Sequence, residues 1–165
     1  MSLFDRSVAV WNRPDRIALA VNIASFVGAT IILNGVIFAF GIDRRAEGVA
    51  RLSWAPPGWA IGAIWVLLFA LYAIAFWLLL QRQESGRRAA HWVLAIVACD
   101  LAHPLLTNGF DLKLGAWLNV VTGLFTVLLL WRVWQDSSIA FGWLIGVGAL
   151  EIQVIEIAQF YVIAI

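Results

Sequence analysis

Charged residues fall in clusters, and the clusters are separated by long uncharged runs. No Asp, Glu, Lys or Arg occurs from Ile17 to Ile42, from Leu52 to Gln81 or from Leu114 to Trp131. A bilayer-spanning helix needs about 20 mostly apolar residues, so each run is a candidate span. Two further apolar runs carry ionisable groups near their middles. Ala89–Leu106 holds His91, Asp100 and His103, and Ile139–Ile165 holds Glu151 and Glu156. The pattern predicts five transmembrane helices, at about 17–41, 58–81, 89–107, 114–134 and 139–163. Continuous apolar runs favour helices over barrel strands, which would be ~10 residues of alternating pattern. The first run is too long for the apolar core of a signal peptide, and Phe38-Ala39-Phe40-Gly41 is not a small-x-small cleavage site. The longest loop is Asp43–Pro57, and the others are compact. Short loops between antiparallel neighbours make a bundle. The expected fold is therefore all-α, a polytopic five-helix membrane protein with one domain over residues 1–165.

Composition agrees. Hydrophobic residues make up 63% of the chain and charged residues 13%, with a mean hydropathy of +0.91. Soluble domains sit near about 45–50% apolar and about 25% charged, so a soluble fold is excluded. Disorder is excluded by the same excess. The net charge of +1 gives no bulk basic signal for nucleic acid. A single cysteine, Cys99, excludes an intrachain disulfide and any multi-cysteine metal site. Five spans place the termini on opposite faces. One face carries Arg6, Arg13, Arg16, Arg82, Arg87, Arg88 and Arg132. The other carries Arg44, Arg45, Arg51 and Lys113. The excess of basic residues predicts a cytoplasmic N-terminus.

Tryptophan is unusually frequent, with Trp 10 in the composition, and three of these residues share a segment. The first loop runs into the second span as Ser53-Trp54-Ala55-Pro56-Pro57-Gly58-Trp59-Ala60-Ile61-Gly62-Ala63-Ile64-Trp65. The paired prolines cannot continue a helix but fit before or within its first turn. Trp54 and Trp59 then fall at the interface, where amphipathic rings settle. Trp65, Phe69, Tyr72 and Phe76 follow at helical spacing on one face. Such a stripe is a wall for a neighbouring helix or for a flat ligand, and both readings stand.

The string W-x-P-P-x-W-x5-W at the opening of a helix resembles the TspO/MBR family, which includes the tryptophan-rich sensory proteins of bacteria and the mitochondrial translocator protein. The resemblance in sequence is confined to this segment, and the remainder agrees in length and architecture. It implies a five-helix bundle in a membrane, for a bacterial protein the inner membrane. It also implies a pocket under the first loop for flat hydrophobic molecules such as tetrapyrroles or sterols, and a homodimer. No cofactor is required; a bound tetrapyrrole would be ligand. The implied binding residues are Trp54, Trp59, Ile61, Gly62, Trp65 and Phe69. Further along, Asp100 falls where the family has an Asn and His103 where it has a Trp. Asn119 falls at a family Asp, and Trp143 lies in a substitute for the family's P-Y-L opening of the fifth helix. These four complete the expected ligand set.

A charge at the bilayer centre costs at least ~2.5 kcal/mol on insertion scales, so intramembrane acids call for a partner or a purpose. Asp100 and His103 are three apart and share a helix face. They suit a structural polar pair, an anchor at a pocket floor or a proton-transfer pair. Glu151 and Glu156 are five apart and cannot share one face, so one is expected to point inward and the other towards a partner or the interface. No zinc spacing or nucleotide-binding fingerprint is present, and no metal site is expected. Small-residue seams at Ala20, Ala24 and Gly28 and at Gly142 and Gly146 suit close helix contacts.

Three functions follow. The first is binding of a flat apolar ligand for sensing, transport or regulation. The second is a membrane enzyme in which Asp100, His103 and Glu156 move a proton on an isoprenoid or sterol-like substrate. The third is a structural subunit of a larger membrane complex, with association to another membrane protein in place of a homodimer.

Overall fold

The computed structural model describes residues 13–40, 58–82, 84–109, 112–134, 139–148 and 150–151. Among these residues every element is a helix. They are α1 (Arg16–Ala39), α2 (Gly58–Leu80), α3 (Glu84–Gly109) and α4 (Leu112–Trp134), followed by α5 (Ile139–Gly148). Positions 150–151 are also helical. By length and apolarity alone, Arg16–Ile37 and Gly62–Leu80 qualify as membrane spans. Val120–Trp134 of α4 and Ile139–Gly148 are shorter apolar helical stretches.

Local chemistry sets the helix ends. Asp15 caps α1, its carboxylate accepting the Ala18 backbone N–H at 2.7 Å. This satisfies one donor that a helix start leaves open, and it places negative charge at the positive end of the helix. Between α2 and α3 the turn is tight. The Arg82 N–H donates to the Leu79 carbonyl at 3.0 Å. A Cβ at Gly86 would lie 2.4 Å from the Arg82 Cβ and 2.9 Å from the Leu79 oxygen. Only glycine lets the two chains approach this closely.

Polar residues inside the helices bond to their own backbone. The Asn22 and Asn34 amides donate to the carbonyls of Ala18 (2.8 Å) and Thr30 (2.9 Å). The Thr122 hydroxyl donates to Leu118 (3.1 Å). An apolar solvent offers no alternative partner, so these bonds let polar residues sit in such helices.

Sequential helices pack as neighbours: α1 on α2, α2 on α3, α3 on α4, with a lesser contact between α1 and α3. α2 is central. Its Leu68, Phe69, Tyr72, Phe76 and Leu79 are buried against Phe26 of α1, Val93 and Ile96 of α3, Leu129 and Val133 of α4, and Leu144 and Val147 of α5. α5 lies between α2 and α4. A Cβ on Gly146 would meet Leu71 at 3.3 Å, and one on Gly148 would meet Leu130 at 3.6 Å. Phe141 meets Trp134 edge-on, with ring centroids 4.7 Å apart. The glycine pair of α5 therefore divides. Gly146 packs within the molecule, whereas Gly142 has nothing within 4 Å.

Candidate functional site

A cavity of about 180 Å³ opens between three helices. α1 supplies Thr30, Leu33 and Asn34; α2 supplies Trp65; α3 supplies Asp100, Leu101, His103 and Pro104. Trp65 and His103 are half-buried, and their rings lie 6.0 Å apart at 31°. They form an aromatic wall carrying one imidazole. Pro104 lies inside α3. It has no N–H to give to the Asp100 carbonyl four residues earlier, so the helix backbone here is more polar than elsewhere.

Behind the cavity lies a polar cluster drawn from α2, α3, α4 and the helical residues after α5. The Tyr72 hydroxyl of α2 donates to Glu151 Oε1 at the end of the chain's described helices. Asp100 of α3 lies against the same hydroxyl and faces Glu151. Thr126 of α4 lies beside Glu151 and Tyr72. Asp100, Thr126 and Glu151 are all buried, and among the described residues Asp100 Oδ2 and Glu151 Oε2 have no hydrogen-bond partner. All the described arginines, Arg13, Arg16, Arg82, Arg87, Arg88 and Arg132, are exposed near helix ends. Among the described residues no three His, Cys, Asp or Glu gather as a metal site.

The residues expected to bind ligand scatter more widely than the cavity. Trp65, Asp100 and His103 line it. Phe69 is fully buried and packs between Trp65 at 6.1 Å and Tyr72 at 6.3 Å. Trp59, 77% exposed, and Trp143 on α5 point away from the bundle. Gly62 is open, with nothing within 4 Å of a Cβ built there. Trp54 and Glu156 lie outside the described residues, as do the side chains of Ile61 and Asn119.

The aromatic stripe therefore splits. Phe69, Tyr72 and Phe76 belong to the core, where Phe76 meets Phe26 at 5.5 Å, and only Trp65 reaches the cavity. Asp100 and His103 share a face as expected and both line the cavity, Asp100 lying against Tyr72 and Glu151 and the His103 ring near Trp65. Glu151 points inward and is buried. Tyr72 and Thr126 are additions to the site. One signal for Tyr72 was available in the sequence, since a tyrosine hydroxyl within an uncharged span must find a partner.

No curated protein matches the chain. The model of the TspO/MBR family matches residues 18–148. That match takes in most of the chain, from α1 to α5, and includes every residue lining the cavity. The chain is thus a five-helix integral membrane protein that belongs to the TspO/MBR family.

Proposed function

We propose that the protein binds a flat hydrophobic molecule, a tetrapyrrole or a sterol- or isoprenoid-like compound, at the cavity between α1, α2 and α3. The observation that carries this reading is the Trp65–His103 wall bordering an otherwise small cavity that also contains one buried acid. An aromatic face offers a planar ligand a large apolar contact with defined stacking geometry. Ligand pockets usually measure about 300–1,000 Å³, so a space of this size takes an edge or one ring of the ligand. The rest would run past Gly62, where no side chain of the described residues blocks the surface of α2. Asp100 and His103 supply the polar contacts at the inner end. Sensing, transport and regulation all begin with this binding step.

The test is a titration of the purified protein with protoporphyrin IX, followed by tryptophan fluorescence. Saturable quenching is expected at micromolar ligand, and Trp65→Phe should weaken it at least several-fold. Absence of quenching in the wild type would overturn the proposal.

A further inference from the structure

We propose that Asp100 and Glu151 hold one exchangeable proton between them, bridged by the Tyr72 hydroxyl, and that this proton reaches water through the ligand cavity. The two carboxyls are 3% and 6% exposed, on different helices, and both lie against one hydroxyl. Two neighbouring carboxylates repel, and burial makes double ionisation costlier still.

Among the described residues, no Arg or Lys faces the pair. α1 brings only the neutral Thr30 and Asn34 to the cavity side. α2 brings Tyr72, and α4 brings Thr126. α3 brings Cys99 beside Asp100, and His103, which borders the same cavity with its ring 6.0 Å from that of Trp65. The helical residues after α5 bring Glu151 itself. Among the described residues, Asp100 Oδ2 and Glu151 Oε2 remain without partners. A proton on one carboxyl turns an acceptor into a donor and gives a second of these oxygens a bond.

Asp100 is the only member of the cluster that also lines the cavity, among the described residues. It is therefore the point at which the proton meets solvent. An occupied cavity would close that path. This last step rests on the proposed ligand site; the shared proton does not.

Infrared spectroscopy of the whole protein in lipid vesicles reads both parts. At neutral pH without ligand, a carbonyl stretch of a protonated carboxylic acid is expected. Tyr72→Phe should shift its frequency, and the double variant Asp100→Asn, Glu151→Gln should abolish it while helical circular dichroism is retained. Transfer to D2O should shift the band quickly in the empty protein. Saturation with protoporphyrin IX dimethyl ester, a probe with no carboxyl of its own, should slow that shift at least tenfold.

No acid band at neutral pH would overturn the shared proton. A band that survives the double variant would also overturn it, by assigning the proton to another acid. An unchanged deuterium shift with the probe bound would overturn the path through the cavity. Should the probe fail to quench tryptophan, the ligand proposal fails and the path through an occupied cavity fails with it, while the acid band still decides the proton.

Discussion

Tyr72 does two things that a phenylalanine at its position could not. Its ring is fully buried in the core, and its hydroxyl reaches Glu151, 79 positions along the chain. Removing the hydroxyl leaves a buried acid oxygen without its donor, which typically costs about 1–3 kcal/mol. Tyr72→Phe should therefore lower the thermal midpoint in detergent, read by intrinsic fluorescence. Phe76→Tyr, which adds a hydroxyl on the same helix face with no acid assigned to it, should be no better tolerated.

At this scale the sequence was only partly legible. The acids at Asp100 and Glu151 stand out because apolar surroundings make any charge conspicuous. Their mutual approach did not, because it depends on how the last helical residues are rotated against α2. Nothing in the local pattern chooses between Glu151 and Glu156. Trp65 was legible as the inner tryptophan of a fixed motif. The fate of Phe69 and Phe76 was not, since one-sided aromatic spacing serves a core and a ligand equally well.

Among the elements, the α2–α3 turn and the small-residue seam of α1 make opposite predictions for the same substitution. Gly86→Ala must displace the backbone oxygen of Leu79 or the Arg82 side chain at its root. Such overpacking typically costs about 1–3 kcal/mol, and a clear fall in the thermal midpoint is expected. Gly28 has nothing within 4 Å of its Cβ position. Gly28→Ala should be neutral or stabilising by up to about 1 kcal/mol through helix propensity. Comparing the two melts checks both. Losing the Asp15 cap in Asp15→Ala should cost about 1 kcal/mol in the same assay.

Helix positions were the most legible feature of the chain, because lipid forbids unpaired backbone and an uncharged run must close its own hydrogen bonds. Helix ends were less so. α3 begins at Glu84, well before the apolar segment at 89, since Arg87 and Arg88 continue the helix with their side chains exposed.

For the molecule as a whole, the Trp77 indole donates to the Arg13 carbonyl at 2.9 Å. The start of α1 and the end of α2 therefore lie on one side of the bundle, with the basic residues Arg13, Arg16, Arg82, Arg87 and Arg88 near them. Replacing Arg82, Arg87 and Arg88 by Gln would bring the two faces to equal basic counts. The positive-inside rule then predicts mixed insertion in place of a single orientation, measurable with reporter fusions at the N-terminus and in the first loop. A chain that kept one orientation would show that its topology is set by something other than these residues.

The span between Tyr72 and Glu151 also has a consequence for biosynthesis. A ribosome delivers α2 and α3 to the membrane well before it makes the helix that carries Glu151. Until that helix arrives, the Tyr72 hydroxyl and the Asp100 carboxyl sit in a half-built bundle, with lipid where Glu151 will later pack. The helical residues that carry Glu151 are therefore expected to act as a check on assembly. Nascent chains halted after α4 are expected to turn over faster than full-length chains in a pulse-chase, and Glu151→Leu should shorten the lifetime of the finished protein in the same direction.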